Sequence, residues 1–333
     1  MTYHPPFSIS ASAVTMIAEI SALIERYAIR MEQADSLRLR KANRVKTIQG
    51  SLAIEGNTLS EAQITAIIEG KHVVAPLREI QEVKNAIETY DLYSSLNPYS
   101  IDDLLKAHGI MMTALIDFAG RFRTSGVAVV AGTELIHLAP PAERVPGLMS
   151  DLFGWLKQAE DHLLVRSCVF HYEFEFIHPF ADGKGRVGRF WQSLLLGQLH
   201  PVFQHLPVET MVYANQQEYY QAINLSTKKN DSGIFVDFML GEILHALERN
   251  QETASGGVSG GVNGGVNGGV NGGVKILDFI QLHPGCRANF IAETIGISNR
   301  TVERYIRQLR EQGKIEFRGA PKTGGYYGRS SDF

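Results

Sequence analysis

Cysteine is almost missing from this 333-residue chain: only Cys168 and Cys286 occur, far apart. That excludes a disulfide framework or a cysteine-rich zinc site and points to a reducing compartment, the cytoplasm. No uncharged apolar run approaches the ~18 residues a membrane-spanning helix needs, so no membrane partner is expected. A basic segment leading into an apolar stretch is also lacking at Met1–Thr15, so no secretory signal is expected. Charge of one sign is not in excess overall, with 32 Lys and Arg against 35 Asp and Glu. It is unevenly placed, however. Residues 274–333 hold 10 basic and 6 acidic residues, and the rest of the chain 22 and 29. A small basic unit appended to a larger acidic one fits a second partner such as nucleic acid.

The sequence contains one conspicuous tether. Thr253–Gly273 repeats Gly-Gly-Val every four residues, a composition unable to offset its own backbone entropy. As a coil it would span roughly 25 Å. Four regions follow: 1–110 helical, 111–252 a chemical core, 253–273 the linker, and 274–333 a small domain.

Before the linker the pattern is mostly helical. Ser12–Arg30 places Val14, Ile17, Ile20, Leu23, Ile24 and Tyr27 at helical spacing. Ser60–Ile68 opens on a cap residue, Ser60, and Gly70 follows its end. Arg78–Leu96, Ile101–Met112 and Val145–Gln158 read the same way, the last with Leu148, Leu152, Trp155 and Leu156 on one face. Residues 127–138 differ, forming a short β-hairpin pattern with a Gly-containing turn, stopped by Pro140-Pro141.

Chemistry concentrates at 177–189, IHPFADGKGRVGR. Val165–Ile177 reads as a buried helix, and Pro179 places His178 at its exit. Asp182, Gly183 and Gly185 permit a tight turn into the next helix. A Gly-rich turn opening a helix presents free amides and the positive dipole end to an anion. Arg186 and Arg189 lie three apart on one side of the first turn, and Lys184 adds a third cation. That set suits several phosphate oxygens. The single acid, Asp182, suits Mg²⁺ bridging phosphates, and His178 suits a general base near neutral pH. A metal site from His171, Glu175 and His178 has helical spacing, but Pro179 withdraws His178 from that face.

Residues 178–189 closely resemble the Fic-domain motif, HPFx[DE]GNGRxxR, departing only at Lys184, where the family usually has Asn. The resemblance extends over much of 50–245. It implies a mostly α fold: a Fic-type helical bundle with a hairpin flap, followed here by a small winged-helix domain. It implies transfer of AMP from ATP to a Ser, Thr or Tyr hydroxyl. His178 would take the proton, Asp182 would hold Mg²⁺, and the amides of Gly183 to Gly185 would form the anion hole. Arg186 and Arg189 would grip the phosphates, Arg189 the γ-phosphate. Lys184 would strengthen phosphate binding or change the nucleotide pose. Tyr219 and Tyr220 could line the adenine pocket or belong to the core. The 127–138 flap would pair with an extended segment of a target protein. Some Fic proteins also pair through helical surfaces, which leaves a homo-oligomer open.

Residues 51–57, SLAIEGN, resemble the family's inhibitory motif, [ST]xxxE[GN], on a helix of about 47–57. Glu55, one turn from Ser51, would then pair with Arg189 and fill the γ-phosphate seat. Two alternatives remain at this level: a DNA-binding regulator that only senses nucleotide, and an enzyme that removes AMP.

After the linker, Val274–Leu282 and Arg287–Ile295 read as helices. Gly296 makes a turn, and Ser298 caps a third helix over Asn299–Gln312. Lys314–Phe317 and Gly325–Gly328 form a wing. This helix–turn–helix pattern resembles a winged helix-turn-helix domain. Asn299, Arg300 and Arg304 would meet a DNA groove, and a protein-interaction role stands as the other reading.

Overall fold

In the computed structural model the described residues are 3–31, 36–131, 134–255, 276, 280, 285–288, 291, 299–311, 314–318 and 325–328. The chain divides into two compact units, Met1–Gly257 and Val258–Phe333.

The larger unit is built from helices. They are α1 (Ala11–Met31), α2 (Ser36–Ile54), α3 (Glu61–Ile68), α4 (Leu77–Asp91), α5 (Ile101–Met111), α6 (Val145–Gln158), α7 (Leu163–Ile177), α8 (Lys184–Leu199), α9 (Val208–Ala214), α10 (Gln216–Lys229) and α11 (Gly233–Ser255). Among the described residues no helix is long and apolar enough to cross a membrane. In the larger unit the expected helices recur within a residue or two, with two exceptions. The Arg78–Leu96 segment ends as a helix at Asp91 and tightens to a 3₁₀ turn at Tyr93–Ser95, and the helix expected over about 47–57 is the last part of the longer α2, which ends at Ile54, before Glu55. Most of the helices expected over 274–282 and 287–295 lies outside the described residues. Helix α11 continues to Ser255, into the start of the Gly-rich tract; the rest of that tract lies outside the described residues.

Burial explains the arrangement. Helix α7 carries little polar surface and sits at the centre, with Val169, Phe170, His171 and Phe174 wholly buried. It packs against α8, whose Phe190, Trp191 and Leu195 are also wholly buried. On α1, Ile20, Ile24 and Tyr27 are buried as the periodicity predicts, but Val14 is 59% exposed; Ala13 faces the core instead. Ser60 caps α3 in a reciprocal box with Gln63.

Helix α2 is gripped on two sides. Val45, Ile48 and Leu52 join a second apolar cluster with Leu59, Ile64, Val83 and Ala86. On another side, Asn43 donates to the Tyr27 hydroxyl at 2.8 Å and to the His205 carbonyl at 2.9 Å. Thr210 Oγ1 donates to the Lys46 carbonyl at 3.1 Å, tying α9 to α2. The hairpin consists of β1 (Ala128–Ala131) and β2 (Glu134–Leu138), antiparallel, with a bulge at Val129/Val130. Among the described residues it is a two-stranded sheet, so each strand keeps an unpaired edge.

The smaller unit contains α12 (Asn299–Glu311) and an antiparallel pair, β3 (Ile315–Arg318) and β4 (Gly325–Gly328), in register Ile315↔Gly328 to Arg318↔Gly325. Its core gathers Ile276, Ile280, Cys286, Ile291, Val302, Tyr305, Ile306, Leu309 and Ile315. Val302, Ile306 and Leu309 therefore face inward as their spacing predicts. Asn299, Arg300 and Arg304 lie on the backbone of α12, their side chains outside the described residues. The wing falls where the sequence suggests, its first strand shifted by one residue and its second unshifted.

Candidate active site

The site forms where α7 ends and α8 begins. His178 caps α7 in the left-handed conformation (φ 52°, ψ 63°), and its amide donates to the Phe174 carbonyl at 3.0 Å. Gly183, also left-handed at φ 79°, starts α8; a side chain there would strike Met112. The helix begins at Lys184. Its first amides have no carbonyl partner within the helix. Asp182 Oδ1 accepts the Gly183 amide at 2.6 Å and lies 3.4 Å from Arg186 Nη2. Its other oxygen belongs to a side chain 44% exposed, with Arg78 3.7 Å away.

The cations differ in occupancy. Arg186 is 3% exposed, yet Nε and Nη1 make no hydrogen bond; Glu82 Oε1 is 3.7 Å from Nη1. A buried guanidinium left this incompletely bonded fits an incoming anion. Arg189 is committed: Nη2 donates to Glu55 Oε1 at 2.7 Å and to the Ser51 carbonyl at 3.0 Å. Burial alone would lower the Arg189 pKa, but Glu55, Tyr219 and Glu175 outweigh it and hold the group above its ordinary value. Ser51 thus contributes its backbone carbonyl, and its hydroxyl turns to Tyr90. Glu55 lies just past the end of α2 in a turn, its side chain 31% exposed. A Cβ at Gly185 would fall 2.7 Å from Glu55 Oε1 and push that side chain aside. Asn57 pins the turn to α4 by donating to Glu82 Oε2 at 2.9 Å. Lys184 does not point freely: Nζ is 3.0 Å from Glu175 Oε2.

Tyr219 lies in the core, 1% exposed, its hydroxyl 3.0 Å from His171 Nε2; Tyr220 is 48% exposed. His171 bonds through both ring nitrogens, to Gln192 and Tyr219, a satisfied core histidine. Among the described residues no group of three or more His, Cys, Asp or Glu gathers around a metal position.

Two family models match the chain: one described as Fic/DOC family over residues 98–196, and one as winged helix-turn-helix DNA-binding over residues 274–316. A solved structure of a Fic family protein from Desulfovibrio desulfuricans G20 matches with a TM-score of 0.73 and 39% identity, covering 99% of this chain and 100% of that one. The chain belongs to the Fic family. Among curated relatives, protein adenylyltransferase fic-1 of Caenorhabditis briggsae is 31% identical over 226 residues, 62% of this chain and 42% of that protein. Its namesake in Caenorhabditis elegans is 33% identical over 192 residues, 53% of this chain and 35% of that protein. The chain spans less than half the length of either.

Within this Fic core, two residues hold the motif loop that sequence reasoning passed over. Arg123, 5% exposed, donates to the carbonyls of His178 at 2.7 Å, Ser125 at 2.8 Å and Pro140 at 2.5 Å, locking the end of α7 to the base of the hairpin. His108, 1% exposed, stacks on Phe180 with centroids 3.7 Å apart. Its Nδ1 accepts the Gly120 amide at 2.8 Å, so Nε2 carries the proton and donates to the Asp182 carbonyl at 3.0 Å. Burial lowers its pKa to about 4 and keeps the ring neutral. No short pattern marks either residue, since both act through backbone carbonyls distant in sequence.

Proposed function

We propose that this chain is a protein adenylyltransferase. It transfers AMP from ATP to a Ser, Thr or Tyr hydroxyl of a target protein, and of itself, and the Glu55–Arg189 pair holds it idle. The observation that carries this reading is the ion pair itself. A buried cation beside an anion-ready helix start, occupied by the chain's own carboxylate at 2.7 Å, has the form of a ligand seat filled by a surrogate. The adenylyltransferase names of the curated relatives support the same chemistry.

In this mechanism His178 accepts the proton of the target hydroxyl. The oxygen attacks the α-phosphorus in line, a P–O bond forms, and the bond to the β-phosphate oxygen breaks to release pyrophosphate. The amides at Gly183–Gly185 and the free nitrogens of Arg186 stabilise charge on the phosphates, and Arg189 receives the γ-phosphate once Glu55 withdraws. Of the other nucleotide contacts expected from sequence, Tyr220 has an accessible ring, whereas Tyr219 is buried in the core and Lys184 is held by Glu175. Positioning and charge stabilisation carry most of the acceleration. The half-exposed Asp182 carboxylate fits Mg²⁺ held jointly with phosphates, the usual manner for a site offering one acid; the ion would neutralise polyphosphate charge. The free edge of the 127–138 hairpin would dock an extended target segment.

Because α2 is held by an apolar cluster on one side and by the hydrogen bonds of Asn43 and Thr210 on another, release of the brake needs only the Glu55 turn to move, not the helix. In the smaller unit, Asn299, Arg300 and Arg304 are proposed to contact duplex DNA. A reducing, cytoplasmic setting agrees with Cys168 and Cys286 as free thiols.

The test is intact-mass analysis of the full chain after incubation with ATP and Mg²⁺. The Glu55→Gly variant gains the mass of one AMP moiety, and adding His178→Ala abolishes the gain. A silent Glu55→Gly variant overturns the proposal. Loss of AMP from a pre-modified target, with no gain from ATP, would move the assignment to removal of AMP.

A further inference from the structure

We infer that Lys184, the one departure from the family motif, is not a phosphate ligand but half of a buried staple with Glu175 that closes the base of the catalytic loop. The inference rests on the nucleotide-transfer reading above.

Glu175 lies three residues before His178, and Lys184 is the first residue of α8, so the pair bridges the two helix ends between which the whole loop 178–183 hangs. Nζ and Oε2 are 3.0 Å apart, with the side chains 22% and 7% exposed. Glu175 Oε1 is buried without a hydrogen bond and faces Gly188, where a Cβ would fall 3.1 Å away. The carboxylate therefore has no room to swing and no other close hydrogen-bonded cation among the described residues. Burial by itself would raise the Glu175 pKa, but Lys184, His171 and Arg189 outweigh it and keep the acid ionised.

A buried carboxylate robbed of its ion-pair partner is strongly destabilising. If Lys184 left for a phosphate oxygen, the cost at Glu175 would oppose the gain at the nucleotide. Phosphate contacts are instead available from Arg186, two of whose nitrogens are unbonded, and from Arg189 after Glu55 withdraws. Lys184 thus brings the loop's two ends together while adding no net cation to the seat.

The test is a double-mutant cycle in the full-length Glu55→Gly chain: parent, Lys184→Asn, Glu175→Gln, and both together. Each is measured for Mg·ATP Kd by calorimetry, kcat of self-modification, and Tm. Expected for Lys184→Asn are a lower Tm, a kcat reduced about tenfold or more, and a Kd changed less than about threefold. The double variant regains Tm and kcat, and Glu175→Gln, which frees the ammonium, tightens Kd about tenfold, the worth of one charge-assisted hydrogen bond. The inference is overturned if Lys184→Asn weakens Kd tenfold or more and the double variant does not restore it, or if Tm shows no rescue in the double variant. Should the Glu55→Gly chain bind ATP but modify nothing, the activity proposal fails while Kd and Tm still decide the staple.

Discussion

Replacing Glu55 by Gln keeps the shape of the side chain and removes its charge, so it isolates the pair with Arg189. The hydrogen bond is 2.7 Å long, with Arg189 3% and Glu55 31% exposed. A hydrogen bond between charged groups contributes about 1.5–3 kcal/mol, and the partly solvated carboxylate puts this pair at the lower end, about 2 kcal/mol. Two effects of opposite sign follow. Without nucleotide, the variant is less stable, because Arg189 keeps only the Ser51 carbonyl and its Nε is already unbonded; Tm falls by about 4–8 °C for a unit of this size. With saturating Mg·ATP the order reverses, since the seat no longer has to be vacated: 2 kcal/mol returned to binding tightens the productive pose about thirtyfold and raises the ligand-induced stabilisation accordingly. Thermal scans with and without nucleotide, run beside an intact-mass assay for added AMP, measure both. Equal nucleotide-induced shifts in variant and parent, with equal modification rates, would refute the reasoning, for the pair would then be an ordinary surface contact.

Three further predictions concern His108 and Arg123 of the motif loop and Glu209, a buried acid of α9 that accepts from the Tyr90 hydroxyl at 3.1 Å. His108 must be neutral in the fold, with a pKa of about 4 against 6.5 when unfolded. The unfolded chain therefore binds more protons between these values, and His108-linked stability is full above pH 6.5 and declines by about 2 kcal/mol by pH 5; denaturant melts at pH 7 and 5 should show this loss in the parent and not in His108→Gln. Glu209 carries the reverse sign: burial raises its pKa to about 7, so its charge opposes the fold increasingly as pH climbs from 4.5 through 7. Glu209→Gln should gain about 3 kcal/mol at pH 8 and little at pH 4.5 in the same melts; a variant weaker than the parent at pH 8 contradicts the assignment. Arg123→Lys keeps the charge but cannot reproduce a fork reaching three carbonyls, so kcat of self-modification in the Glu55→Gly background should fall about tenfold or more while Mg·ATP Kd changes little.

Much was legible in order along the chain. Helix starts are local events, so the Ser60 cap, the wing strands and the Val302–Ile306–Leu309 stripe could be read from spacing. The chemical motif was readable for the same reason: its His, acid, glycines and arginines occupy one turn and the helix after it. Burial was less legible. Periodicity assigned Val14 to the core, where neighbouring Ala13 sits instead, because a helix face is chosen by what packs against it.

The one-dimensional pattern determined which groups meet within a few residues: the helix exit at His178, the Gly turn, and the arginines beside it; the left-handed conformation of His178 came only from the structure. The Glu55–Arg189 pair was expected only through the family resemblance, not from spacing, and the contacts of His108 and Arg123 were decided by tertiary structure alone. Glu55 reaches Arg189 across 134 positions, His108 reaches the Asp182 carbonyl across 74, and Arg123 reaches His178 across 55. Such pairings depend on how α2, α4 and α5 are packed around α7 and α8. Charge interactions in a buried site are set by distances of a few ångströms, and no spacing along a sequence fixes those.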